Sequence, residues 1–169
     1  METVAPRICF PARTQCLDLI RSFCREILEG HSFEPQLHRK LILAIDEAVA
    51  NVIEHAYASD CDATVPIVEL SIDVQPDRVV ARIMDRGTPF DPRRVDVDSK
   101  ARQLAEASAR HARKGETPSG GSSPGKRFPT RGFGIHLIRL IMDEIDYQRT
   151  PDGQNVLVLI KHLRKGQEA

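Results

Sequence analysis

The sequence predicts a single α/β domain of the α+β kind, on three observations. Its 169 residues, 41% of them apolar, are enough to bury one core. Apolar periodicity switches between strand and helix along the chain, giving the order β-α-α-β-β-lid-α-β-β. Two strand pairs are separated by short turns that contain proline, Gln75-Pro76-Asp77 and Pro151-Asp152-Gly153, which predicts two antiparallel hairpins. The prediction is one domain over residues 1–169 with a flexible lid or insert at about 93–131.

Charge and composition exclude several classes of function. Lys plus Arg (24) equals Asp plus Glu (24), so no global field recruits nucleic acid or an anionic membrane surface. No apolar run approaches the roughly 18–20 residues that span a bilayer. Cys9, Cys16, Cys24 and Cys61 have no paired spacing, and nothing at the N-terminus resembles a cleavable signal, which predicts reduced core thiols in a cytoplasmic protein.

Ile8-Cys9-Phe10 reads as a short strand closed by Pro11. Leu17, Ile20, Cys24, Ile27 and Leu28 then mark a helix that stops at Gly30. Ser32 and Pro35 signal a second start, since proline is tolerated in a first helical turn. The helix that follows ends near Tyr57 and organises the chain: Leu41, Ile45, Ala48, Val49, Val52 and Ala56 form its core stripe, with Glu47 and Asn51 four apart on an adjacent face. A neutral amide oxygen beside a carboxylate suits Mg²⁺ together with proton transfer, and the same seam also fits a solvated helix edge.

Strands are predicted for Val65–Val74 and Arg78–Asp85, the second ending in Asp85-Arg86-Gly87. An acid at a strand end is also a common loop opener. Residues 93–131 carry ten basic side chains (Arg93, Arg94, Lys100, Arg102, Arg110, Arg113, Lys114, Lys126, Arg127, Arg131) against four acidic ones (Asp96, Asp98, Glu106, Glu116), with the low-complexity run Thr117 to Gly125 inside. Such a segment suits a flap closing on phosphates, and equally a solvated basic loop. Gly132-Phe133-Gly134 then opens the apolar helix Ile135 to Asp143. Two glycines at a helix N-terminus let backbone N–H groups approach phosphate oxygens, although the third glycine of a dinucleotide fingerprint and the lysine of a P-loop are both missing. Glu144–Arg149 and Asn155–His162 read as the last hairpin.

In order, Asp46-Glu47-Ala48-Val49-Ala50-Asn51 with Glu54-His55-Ala56-Tyr57, then Asp85-Arg86-Gly87-Thr88-Pro89-Phe90-Asp91-Pro92, then Gly132-Phe133-Gly134-Ile135-His136-Leu137-Ile138 running to Met142-Asp143-Glu144, resemble the nucleotide-binding boxes of the GHKL ATPases. In detail they resemble the bacterial anti-sigma-factor serine/threonine kinases, from Phe10-Pro11-Ala12 to Lys161, apart from the insert at about 93–128. The resemblance implies a Bergerat fold: a two-layer sandwich with a mixed, mostly antiparallel sheet, helices on one face, and ATP between helix and lid. It also implies that Asn51 coordinates Mg²⁺, that Glu47 is general base toward an acceptor hydroxyl, and that Asp85 accepts from the adenine amino group. Gly87 would let the base approach, Gly132 and Gly134 would line the phosphates, and Arg131 or another lid arginine would add charge there.

The chain departs from this pattern in three places. Pro89 stands where histidine kinases and gyrases have a second glycine, Gly153 is followed by Gln154-Asn155 instead of a Gly-Thr pair that helps hold adenine, and the insert is long. The function implied is an ATP-dependent protein kinase that phosphorylates Ser or Thr on an antagonist, anti-anti-sigma-like protein and holds a sigma factor or similar regulator inactive. It would use no direct nucleic-acid or membrane partner, and homodimerisation stays open. A partner-sequestering nucleotide module without transfer, and the ATPase half of a histidine kinase, are the alternatives. Glu47 argues against the first, and the lack of dimerisation helices or a phospho-accepting His segment ahead of Phe10 argues against the second. No histidine pair has zinc-ligand spacing, and His55 is expected to hydrogen-bond locally.

Overall fold

The computed structural model describes residues 5–57, 65–95 and 134–163. The elements follow the predicted order: β1 (Arg7–Pro11), α1 (Leu17–Glu29), α2 (Pro35–Ala56), β2 (Ile67–Gln75), β3 (Arg78–Asp85), α3 (Gly134–Ile141), β4 (Glu144–Arg149) and β5 (Asn155–His162). The five strands form one sheet in the order β1-β2-β3-β5-β4. Every pairing among the described residues is antiparallel, so the parallel component of a mixed sheet is not found there.

Strand alternation selects the core face. Leu70 pairs with Ile83 and Ile72 with Ala81, and Ala81 and Ile83 pair in turn with Leu159 and Leu157. All six are buried, and with Val68 and Val79 they make the floor on which the helices pack. The helices meet that floor with narrow stripes: Ile20, Cys24 and Leu28 from α1, and Leu41, Ala44, Ile45, Ala48, Val49, Val52 and Ala56 from α2. Each fully buried Leu, Ile or Val contributes about 1.5–3 kcal/mol of transfer free energy. With 22 residues, α2 runs about 33 Å, long enough to pack against both α1 and α3.

Two boundaries move for physical reasons. The second strand begins at Ile67, because Pro66 has no N–H for the ladder and its carbonyl instead accepts from Ala12 N at 2.8 Å. Pro35 is the first residue of α2, after Glu34, which makes no side-chain cap. The expectation that the cysteines are core thiols holds for Cys24 alone among the described three. Cys9 is exposed, because its neighbours Ile8 and Phe10 take the helix-facing side of β1, and Cys16 is half-buried. Burial pushes the Cys24 thiol up to about 12. Cys61, the insert from residue 96, Arg131 and Gly132 lie outside the described residues. No helix among the described residues is long and apolar enough to cross a membrane.

Candidate functional site

The site forms where the C-terminal half of α2, the end of β3 and the start of α3 converge. The core stripe fixes the rotation of α2, and this turns Glu47 and Asn51 toward α3. Gly134, the first residue of α3, lies so close that a Cβ there would stand 2.5 Å from Glu47 Oε2 and 3.3 Å from Asn51 Nδ2. The backbone of a helix start, a carboxylate and an amide thus share one spot. The first-turn N–H groups of a helix lack intrahelical partners and carry partial positive charge, which favours an anion.

Both helical side chains carry unmet demands. Asn51 Nδ2 is buried with no partner among the described residues. Burial, and then the negative charges of Asp46 and Glu54, push the Glu47 carboxyl above its usual range, with Arg21 opposing. Asp46, next in sequence, points to α1 and is 7% exposed. Its Oδ2 accepts from Arg21 Nη2 at 2.9 Å, and Arg21 Nη1 also reaches Asp18 Oδ1 at 2.6 Å. Burial raises the Asp46 carboxyl while the Arg21 hydrogen bond and charge pull it down. Residues adjacent on α2 therefore do different work: Asp46 ties α2 to α1, and Glu47 faces α3.

Asp85 ends β3 and is 5% exposed. Its Oδ1 accepts from Gly87 N at 2.7 Å, from Asn155 Nδ2 at 2.9 Å and from the Tyr57 hydroxyl at 3.3 Å, while Oδ2 has no partner among the described residues. The Tyr57 oxygen in turn accepts from Arg86 N at 3.1 Å, and burial pushes its phenol up to about 12. Gly87 is packed against the end of α2: a Cβ there would stand 2.6 Å from Ala56 O and 2.9 Å from Tyr57 Cε1. The Asp-x-Gly therefore does more than open a loop. It locks β3 to α2 and leaves one carboxylate oxygen available.

Beyond Gly87 the chain is pinned. Arg86 bridges to Asp152 in the β4–β5 turn, with Nη2 at 2.8 Å from Oδ2 and Nη1 at 2.9 Å from its carbonyl. The Phe90 ring stacks on His55 with centroids 4.4 Å apart. Asp91 starts a short turn, Pro92–Arg94, by accepting from Arg93 N at 3.0 Å. Arg139 of α3 donates through Nη2 to the carbonyls of Pro92, Arg93 and Val95 at 2.9, 2.9 and 3.2 Å. A cleft of about 550 Å³ opens against this turn, lined by Phe90, Asp91, Arg93, Tyr147 and Arg149 among others.

The structure brings together Glu47, Asn51 and Gly134 at one end and Asp85 and Gly87 at the other, with Tyr57 beside the second group. Tyr57, Asn155 and Tyr147 were not singled out as site residues from the sequence. The polar Asn155 ahead of the apolar run Val156–Ile160 was the signal available. Among the described residues no group of three His, Cys, Asp or Glu side chains could hold a metal ion by itself. A divalent cation at Asn51 would thus have to share its ligands with a phosphate, which is how Mg²⁺ is usually held at nucleotides. The unpartnered Asn51 Nδ2 is a donor and, with the Cβ-free cradle at Gly134, fits a phosphate oxygen, while a cation would need the amide oxygen of Asn51.

Five antiparallel strands with helices packed on one face define an α+β module. A family model described as histidine kinase-like ATPase domain matches residues 10–161, and the chain belongs to that family. Among curated relatives it is similar to the serine-protein kinase RsbW of Bacillus cereus and of Bacillus thuringiensis subsp. konkukian. Each is 24% identical over 157 residues, covering 93% of this chain and 84% of the relative. Among solved structures it resembles the RsbU and RsbW domains of Rv1364c from Mycobacterium tuberculosis at TM-score 0.54 and 17% identity, over 94% of this chain and 32% of that one. It also resembles the SiaB–SiaC complex from Pseudomonas aeruginosa at TM-score 0.50 and 14% identity, over 92% and 89%. These structural likenesses concern the fold.

Proposed function

We propose that the chain is an ATP-dependent serine/threonine protein kinase of the anti-sigma type, working as one domain in the cytoplasm. Its substrate would be an antagonist protein, and it would hold a sigma factor or similar regulator inactive. The observation that carries the reading is Gly134 set against Glu47 and Asn51, which puts a helix start, a candidate base and an amide around a single spot. The relatives named serine-protein kinase and the family match support it.

Mg²⁺ would supply charge neutralisation for the phosphates. Asn51 would give it an amide oxygen, and the first turn of α3 would face the phosphates with its N–H groups. Glu47, with its carboxyl raised by burial, would take the proton from an acceptor hydroxyl. Asp85 would accept from the exocyclic amine of the base, with Gly87 letting the ring come close. Gly132 and Arg131 are proposed to serve the phosphates on the strength of the sequence motif alone.

The test is phosphotransfer from labelled ATP to the proteins encoded beside this one. Transfer to Ser or Thr of one of them supports the kinase. Tight binding of a partner with no transfer makes the protein a sequestering module, and absence of ATP binding removes the whole reading.

A further inference from the structure

Asn155 stands at the first position of β5, directly across from Asp85 on β3. It is 2% exposed, and every hydrogen-bonding group of its side chain is turned to the protein. Its Nδ2 donates to Asp85 Oδ1 at 2.9 Å and to Gly87 O at 3.0 Å, and its Oδ1 accepts from the Tyr147 hydroxyl at 2.9 Å. The orientation of the amide follows from these partners. Asp85 Oδ1 and Gly87 O only accept, so the NH₂ must face them. The remaining oxygen meets two donors, the Tyr147 hydroxyl and, farther off at 3.5 Å, Arg149 Nη1.

One carboxylate oxygen is thereby saturated by Asn155, Gly87 N and Tyr57, and the carboxylate is fixed in rotation. Among the described residues only Oδ2 is left without a partner, free to read a ligand. An acceptor with no donor beside it rewards an exocyclic amine and repels a carbonyl at the same place, so the rigidity of Asp85 converts into nucleobase discrimination.

We propose that Asn155, oriented by Tyr147, is the positioning residue that makes this site select 6-amino over 6-oxo purine nucleotides, acting through Asp85 without touching the base. This rests on the nucleotide-binding reading above. Asn155→Ala leaves Asp85 free to rotate and to present either oxygen, so the preferred base loses its fixed partner while a 6-oxo base loses little. Tyr147→Phe removes the closer donor to the amide oxygen and weakens the same selection by a smaller factor. Asn155→Thr, which keeps a donor hydroxyl facing Asp85, restores part of the loss.

The experiment is calorimetric titration of Mg-ATP and Mg-ITP into wild type, Asn155→Ala, Asn155→Thr and Tyr147→Phe, with thermal unfolding confirming that each is folded. The expected result is a wild-type preference for ATP that falls about tenfold in Asn155→Ala, because ATP affinity drops while ITP affinity holds, with Tyr147→Phe and Asn155→Thr in between. Equal losses for both nucleotides in Asn155→Ala would reduce the residue to a structural role and overturn the proposal, as would an unchanged preference. If Asn155→Ala does not fold, the same criterion applies to Tyr147→Phe. Wild type that binds ATP with no preference overturns this inference alone, and wild type that binds neither nucleotide overturns the nucleotide reading with it.

Discussion

Gly134 lies against Glu47 with no room for a side chain: a Cβ at 134 would fall 2.5 Å from Glu47 Oε2. The obstructing atom is the far end of a flexible side chain, so Gly134→Ala should fold and relieve the clash by turning the Glu47 carboxylate away. Misplacing a base by about 1 Å costs on the order of 10²-fold in rate. Phosphotransfer in Gly134→Ala should therefore fall by about that factor while the unfolding midpoint stays near wild type. Wild-type transfer would show that the carboxylate position does not matter.

Gly87 presents the opposite case. A Cβ there would stand 2.6 Å from the Ala56 carbonyl oxygen and 2.8 Å from Ala56 Cβ, and these backbone-anchored atoms cannot swing aside. Thr88 N also donates to the same carbonyl at 3.0 Å, so a shift of the loop costs that bond too. Gly87→Ala should destabilise the fold by about 1–3 kcal/mol, the usual cost of overpacking. Denaturant unfolding measures this, and an unchanged midpoint would mean the loop yields freely.

The turn at Asp91 should be acid-sensitive. The Arg93 side-chain hydrogen bond holds the Asp91 carboxyl below its usual range against the opposing effect of burial, helped by the Arg93 backbone N–H and by the charges of Arg93 and Arg94. A folded-state pKa below the unfolded value of about 3.9 means that the unfolded chain binds the proton more readily. The stabilisation is therefore present above that value and is lost as pH falls through the folded pKa. Between about pH 5 and pH 2 wild type should lose more stability than Asp91→Asn, which has no such proton to bind. Parallel curves for the two would show that Asp91 contributes nothing through its charge.

The α2 seam and the β3 end were legible in the sequence because their signals are local: a core stripe fixes which way Glu47 and Asn51 turn, and an apolar strand that stops at Asp85 marks its own boundary. What surrounds Asp85 was not legible. Tyr57 and Asn155 reach it across 28 and 70 residues, and only the packing of α2 on β3 and the β3–β5 register bring them there. Arg21 meets Asp46 across 25 residues by the packing of α1 on α2, and a helix pattern alone does not reveal such a pair. Cys9 shows a weaker failure, since strand alternation between Ile8 and Phe10 already placed it on the outer face while its residue type suggested burial.

The last prediction separates kinase from sequestering module. Glu47 and Asn51 lie one helical turn apart and both face Gly134, yet they are given different tasks. Glu47→Gln keeps shape and hydrogen bonding but removes the base, so transfer should fall by roughly 10²- to 10⁴-fold while ATP affinity barely changes. Asn51→Ala removes an amide that would ligate the cation, so nucleotide affinity and transfer should fall together. Partner capture that needs no phosphotransfer should survive the Glu47 change. Measuring nucleotide affinity, phosphotransfer and partner pull-down on the two variants settles the assignment: transfer by Glu47→Gln at the wild-type rate removes the base role, and equal ATP affinity in Asn51→Ala removes the metal role. If wild type captures a partner but transfers phosphate to none, the carboxylate beside Gly134 serves binding alone.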